Sequence, residues 1–187
     1  MERMGAIGRG MALSLLLAAC TDFAHGVADK PLPNDPRLIG QWQSAEGRGL
    51  LFISAAGPAR LRVDAYDAPA CDHAEHFLLS RARIDGCDFV DVVAVGHEEG
   101  PRTIFGYGGD GPGRLDFYRV DDKVFTRAIA QGELPGQLPP PDEMGSIHVL
   151  ASTAQLRHFL AVHPEAMGGK SLSLIEVDPA PRPDCPN

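Results

Sequence analysis

Cys71, Asp72, His73, Glu75 and His76 place five potential metal ligands within six residues, and His97, Glu98 and Glu99 would present more from a neighbouring loop. Thiolate, imidazole and carboxylate are the donors that zinc and similar ions take. The spacing Cys-x-His-x-x-His is not that of a zinc motif, and Cys71 is better placed for a disulfide, so a solvated loop is expected and no metal site is assigned. A hydrolase needs an activated Ser or Cys beside a base. No Gly-x-Ser-x-Gly elbow occurs, and Gly145-Ser146-Ile147-His148 lacks the strand–turn–helix context. No residue is assigned a catalytic role. The glycine-rich run 106–113 lacks a following Lys-Ser/Thr and reads as a hairpin loop. Gly169-Lys170-Ser171 resembles the end of a phosphate-binding loop, but Pro164 stands where that loop needs glycine. Arg60, Arg62, Arg81, Arg83, Arg102, Arg114, Arg119 and Arg127 fall in strand-like segments, where a convergent subset would bind an anion. Period-two alternation instead turns them toward solvent beside acidic residues.

The elements that must position these groups belong to one domain. With 187 residues, 44% apolar and 22% charged, the chain can bury a single good core. A formal charge of −8 argues against nucleic acid as a partner. No cofactor is implied.

Residues 1–19 carry Arg3 and Arg9 ahead of an apolar stretch, 11–19, that is too short to span a bilayer as a helix. This is an export signal. It ends Leu17-Ala18-Ala19-Cys20, which resembles the lipobox of bacterial lipoproteins. The resemblance implies that Cys20 is acylated and becomes the first mature residue, so that the chain is anchored to the membrane by lipid and faces the periplasm. Thr21 in the next position, rather than Asp, implies sorting to the outer membrane. Cys71, Cys87 and Cys185 then remain in an oxidising compartment. A Cys71–Cys87 bridge is favoured because it closes a short local loop, while Cys185 in the Pro-rich tail is an alternative partner for either.

Residues 20–36 hold prolines and no periodic apolar face, as expected of a flexible tether. The domain is expected over 37–178, followed by a Pro-rich tail, 179–187. Strands are expected at 49–54, 60–66, 77–84, 88–95, 102–107, 114–120 and 123–129, with a closing strand at 171–177. The alternation in Arg60-Leu61-Arg62-Val63-Asp64-Ala65 is the clearest. Asp85-Gly86 and Asp121-Asp122 sit where hairpin turns are needed. Ser152-Thr153-Ala154-Gln155 is a capping box opening one C-terminal helix that ends at Pro164. Residues 131–146 read as a long loop.

Gly40 and Trp42, in Leu38-Ile39-Gly40-Gln41-Trp42 at the head of a β-meander, resemble the Gly-x-Trp motif of the lipocalin and calycin families. That resemblance implies a mainly β fold: an antiparallel up-and-down meander closed into a barrel-like domain with one helix packed on it. It also implies that Trp42 closes one barrel end against an arginine. The expected function is a non-catalytic binding module of the envelope. A protein-binding role, as an inhibitor, immunity protein or scaffold with an envelope or secreted partner, is preferred. A small hydrophobic ligand carrier is the alternative, and a periplasmic hydrolase the second alternative.

Overall fold

Alternating apolar and polar residues give a sheet one buried and one outward face, and the computed structural model, which describes residues 21–47, 49–67, 74–140, 143 and 145–177, builds a barrel from such strands. A short strand, β1 (Thr21–Phe23), comes first, and a 3-10 turn, Pro36–Leu38, leads into β2 (Gly40–Ser44). The meander continues through β3 (Gly49–Gly57), β4 (Arg60–Asp67), β5 (Ala74–Ile84), β6 (Cys87–Ala94), β7 (Thr103–Gly108) and β8 (Arg114–Val120). Next come α1 (Asp122–Ala130), β9 (Gly136–Gln137), β10 (Ile147–Val149) and α2 (Thr153–Val162), before β11 (Met167–Glu176). Each of β2 to β8 pairs antiparallel with its neighbour, and β11 pairs with both β8 and β2, which closes the barrel at eight strands. Strands β1, β10 and β9 form a separate three-stranded sheet.

Two cores follow from the alternation. Leu61, Val63, Phe77, Leu79, Val90 and Phe105 belong to the cluster that fills the barrel. Their neighbours of opposite parity, Ala82, Ile84, Phe89 and Ile104, point outward into a second cluster with Phe125, Leu156 and Phe159 of the two helices. The wall made by β5 to β8 is therefore apolar on both faces, and the segment between β8 and β11 covers its outside.

Several expectations meet their elements directly. Asp85 and Gly86 take φ of 46° and 82° at the β5–β6 turn, the left-handed pair that a two-residue hairpin needs. Ser152 and Gln155 form the reciprocal capping box of α2. Others are corrected. The strand expected at 123–129 is helix α1, because Asp121 caps it by accepting from the Lys123 amide, and Val124, Phe125 and Ala128 share one buried face. Asp121-Asp122 is thus a helix start, not a hairpin turn. Gly132, at φ 73°, ends α1: its amide donates to the Ile129 carbonyl and the Glu133 amide to that of Ala128. Among the described residues there are two α-helices where one helix was expected, and residues within 131–146 contribute β9.

The flexible tether expected at 20–36 is also corrected, for residues 21–36. Thr21, Phe23 and Val27 have no exposed surface. Phe23 and Arg102 exchange backbone hydrogen bonds of 3.0 and 2.9 Å, and the Phe23 ring stands edge-on to Phe125 at 5.4 Å between centroids. Asp91 on the outside of β6 accepts from the Val27 and Ala28 amides, both at 2.8 Å. Further on, the Leu32 amide reaches the Arg81 carbonyl, and Asn34 bonds Gly57 and Pro58 at the β3–β4 turn. These residues form a strap down the barrel wall. Burial pushes the Asp91 carboxyl upward, opposed by the two strap amides and by Arg102 and Arg157.

A Cβ at Gly26 would overlap the Asp91 carboxylate. Gly26→Ala should therefore displace Asp91 from both amides and lower the urea midpoint by the equivalent of about 1–3 kcal/mol. A midpoint unchanged from wild type would show that the strap is not held this way.

Candidate functional site

The barrel's two ends differ in chemistry. At one end the turn Pro36–Leu38 lies across the lumen: Leu38 has no exposed surface, and the Trp42 indole N–H donates to its carbonyl at 3.0 Å. Asp35 caps this turn, accepting from the Arg37 amide at 3.0 Å and from the Arg37 guanidinium at 2.7 Å. Arg81 enters the lumen from β5 and is only 8% exposed. Its Nε donates to the Tyr107 hydroxyl at 2.6 Å, and its Nη2 lies 3.4 Å from Asp35 and 3.6 Å from Asp88. The Tyr107 hydroxyl in turn donates to Asp35 at 3.2 Å. Arg81 also donates through Nη1 to the Pro33 carbonyl, so the buried guanidinium is met by a carboxylate pair, a hydroxyl and a carbonyl.

Ionisation follows from the geometry. Burial pushes the Asp35 carboxyl up, but hydrogen bonds from Arg37 and the charges of Arg37 and Arg81 outweigh it and hold the group at about 2. Burial drives the Tyr107 phenol up to about 12 against the opposing pull of Arg81, so it remains a neutral donor.

Gly40 and Trp42 therefore stand at a closed barrel end, but the arginine there sits over Tyr107, with Cζ 5.8 Å from the ring centroid. Arg37 and Arg114 line a depression together with Trp42. Sequence reading placed Arg81 among solvent-facing arginines; β5 parity puts it inside, with Phe77 and Leu79, a signal that counting alternate positions from Phe77 would have exposed.

Inside the barrel a cavity of about 50 Å³ remains, lined by Leu51, Val63, Phe77, Val92, Phe105 and other apolar side chains. A larger depression, about 460 Å³, lies on the outside of the plugged end. Arg37, Ile39, Trp42, Arg114 and Glu176 line it beside the glycine-rich turn 109–113. Gly113, at φ 72°, shapes that turn and its carbonyl accepts from the Glu176 amide. Ile39 is 40% exposed at the groove edge. The groove thus offers an apolar contact flanked by two guanidinium groups and a carboxylate.

The remaining candidates are scattered. Cys20, Cys71, Asp72, His73 and Cys185 lie outside the described residues, and Cys87 is an exposed free thiol at the start of β6. Glu75 and His76 are adjacent in β5 and so point to opposite faces, and His76 Nδ1 lies 2.7 Å from Asp64. Among the described residues no three His, Cys, Asp or Glu side chains are placed to hold a metal. His148 faces Asp22 at 2.7 Å, and His163 faces Glu133 at 2.7 Å and Glu165 at 3.0 Å. Hydrogen bonds that the ring donates to Glu165 and Glu133 push the His163 imidazole upward. Lys170 and Ser171 lie in β11, where Lys170 pairs with Asp116 at 2.7 Å. No helix among the described residues is long and apolar enough to cross a membrane. Compared with protein-family models, with curated proteins and with solved structures, the chain matches none of them.

The low Asp35 value sets an acid limit. Its folded pKa lies below the ordinary 3.8, so its stabilisation is fully present above about pH 4 and is lost as pH falls through about 2. Acid should remove about 2 kcal/mol over that window, and Asp35→Asn should flatten it while lowering stability at neutral pH. Urea midpoints measured across the window decide the matter, and parallel curves for the two proteins would refute it.

Proposed function

We propose that the protein is an envelope lipoprotein, anchored through acylated Cys20, whose barrel is a non-catalytic module that binds another protein through the groove at its plugged end. A closed eight-stranded β-barrel is compatible with a binding module. The observation that favours a protein over a small ligand is the lumen. Carriers bury most of a ligand in a space of roughly 300 Å³ or more, whereas side chains here leave about 50 Å³. The all-apolar lining is what favours the carrier alternative, yet two or three methylene groups would fill the space.

The groove is better suited to recognition. Exposed Ile39 supplies an apolar anchor, and Arg37, Arg114 and Glu176 can pair with polar groups around it. A guanidinium–carboxylate mix around an apolar centre is the usual make-up of a protein contact. His76, His148 and His163 each have a carboxylate as the hydrogen-bond partner of the ring among the described residues, with no Ser or Cys beside it. That arrangement gives the hydrolase alternative no support.

Two measurements test the reading. In a diderm host, the full chain should incorporate labelled palmitate and Cys20→Ala should not; equal labelling of both would remove the anchor. Cross-linking in intact envelopes should give one stoichiometric protein adduct that the double variant Ile39→Asp, Arg114→Glu loses while keeping its circular dichroism. A retained small-molecule mass in native mass spectrometry, with the adduct unaffected by the double variant, would overturn it in favour of the carrier.

A further inference from the structure

The strap decides how the barrel would sit on a membrane. A flexible tether of sixteen residues, 21–36, would let the domain stand off by up to about 50 Å, at 3.3 Å per extended residue. None of that slack exists here. Thr21, the residue after Cys20, has no exposed surface, and its hydroxyl donates to Asp122 at 2.7 Å. Its backbone is also paired in register with Ile147. Consecutive Cα atoms are about 3.8 Å apart, so a lipid on Cys20 starts one peptide unit from a fixed point of the fold.

That fixed point lies at a defined end. Asp122 opens α1 directly after β8 leaves the barrel at Val120, and Phe23 bonds Arg102 just ahead of β7. The strap then passes Asp91, Arg81 and finally Gly57, at the β3–β4 turn, before forming the plug. It runs from one rim to the other. Thr21, to which Cys20 is joined by one peptide bond, is thus at the rim opposite the plug and the groove.

We infer that the rim around Thr21, Asp122, Lys123 and Lys170 rests on the phospholipid headgroups, and that the groove end faces away from the membrane. This rests on the proposed lipidation of Cys20. Charge at the rim agrees with it. Of the chain's three lysines, Lys123 and Lys170 are here, both exposed, with Arg119 near the end of β8. The neighbouring acids are engaged: Asp121 accepts from the Lys123 amide, Asp122 takes the Thr21 hydroxyl and Arg119, and Asp116 pairs with the Lys170 ammonium at 2.7 Å, which leaves Lys123 as the cation of the three with no acid drawn to its head group among the described residues. Ammonium groups at this level meet lipid phosphates within the range over which salt leaves them unscreened, about 8 Å. Lys30, exposed on the strap between Ala28 and Leu32, sits part-way up the wall.

Amine acetylation of the full-length lipidated protein on phosphatidylethanolamine/phosphatidylglycerol vesicles, read by mass spectrometry, tests the orientation. The reference is a variant with a Gly/Ser insert of about 20 residues between Cys20 and Thr21, which adds about 25 Å of reach and leaves the fold from Thr21 onward intact. Lys123 and Lys170 should react several-fold more slowly in the native chain than in the insert variant. Lys30 should react equally in both, as should a lysine reporter introduced by Gly57→Lys, at a site with open space around its Cβ. Equal rates at Lys123 and Lys170 in the two proteins, with both still floating on the vesicles, would overturn the orientation and leave the anchor standing. Loss of flotation in the native chain would overturn the anchor and the orientation with it. Protection at the Gly57→Lys reporter would place the opposite end on the lipid and refute the inference.

Discussion

A guanidinium inside an apolar barrel must be paired, and the pairing of Arg81 organises much of the rest. Arg81 sits in the lumen of β5 at 8% exposure, where an unpartnered charge would be far too costly to keep. β7 supplies Tyr107 and β6 supplies Asp88, but Asp35 and the Pro33 carbonyl come from outside the meander. Satisfying Arg81 therefore requires residues 33–35 to lie over that end. Once they do, Asp35 caps the turn Pro36–Leu38, Leu38 drops into the opening, and the Trp42 indole finds the Leu38 carbonyl. One buried charge thus couples the plug, the start of β2 and the seating of the strap. Removing Arg81 and removing Asp35 are unequal changes: the first leaves a carboxylate that Arg37 still partners, the second leaves a guanidinium with a longer contact to Asp88.

The outer wall imposes a second demand. β5 to β8 carry apolar residues on both faces, so a barrel alone would expose Ala82, Ile84, Phe89 and Ile104. The segment between β8 and β11 meets this need with α1 and α2, and the strap meets it with Phe23 and Val27. Asp91 is a polar residue on that wall, as is Asp116 of β8, which Lys170 and Ser173 partner. Asp91 is 3% exposed because it anchors the strap backbone, and Gly26 gives it room. A barrel strand and a strap loop thereby share one carboxylate, which makes docking of the N-terminal segment part of folding the barrel.

These couplings explain what the sequence made legible. Alternation in 60–65, the Asp85-Gly86 turn and the Ser152–Gln155 capping box are local rules, and local rules could be read directly. Helix α1 was misread because Val124, Phe125, Thr126 and Ile129 favour strands in isolation; the helical spacing of Val124, Phe125 and Ala128, with Asp121 before it and Gly132 after it, is the competing signal that prevailed. The strap was misread because proline and missing periodicity are equally the marks of a tether and of an irregular segment held by distant partners. Its partners Asp91 and Asp122 are 63 to 101 residues away, Arg102 falls within that range, and nothing local announces them. The groove was invisible for the same reason: Ile39, Arg114 and Glu176 meet only when β11 closes the barrel against β2.

A filled lumen and a tightly held N-terminus together limit where recognition can occur. A barrel that carries cargo needs an entrance, and the end that the strap plugs with Leu38 and the Arg81 network has none. With the anchor at Cys20 as proposed, the other rim would be occupied by headgroups, and the wall of β5 to β8 is already covered by helices. Among the described residues, the faces left to a protein partner include the plugged end itself and the walls of β2 to β4 and β11. Of these, the plugged end carries the groove, and hydrogen bonds hold its lining: Trp42 is bonded to the plug and Arg37 is tied to Asp35. Rigidity at a recognition surface lowers the entropy lost on binding, so the interactions that close the barrel also prepare the face it turns outward.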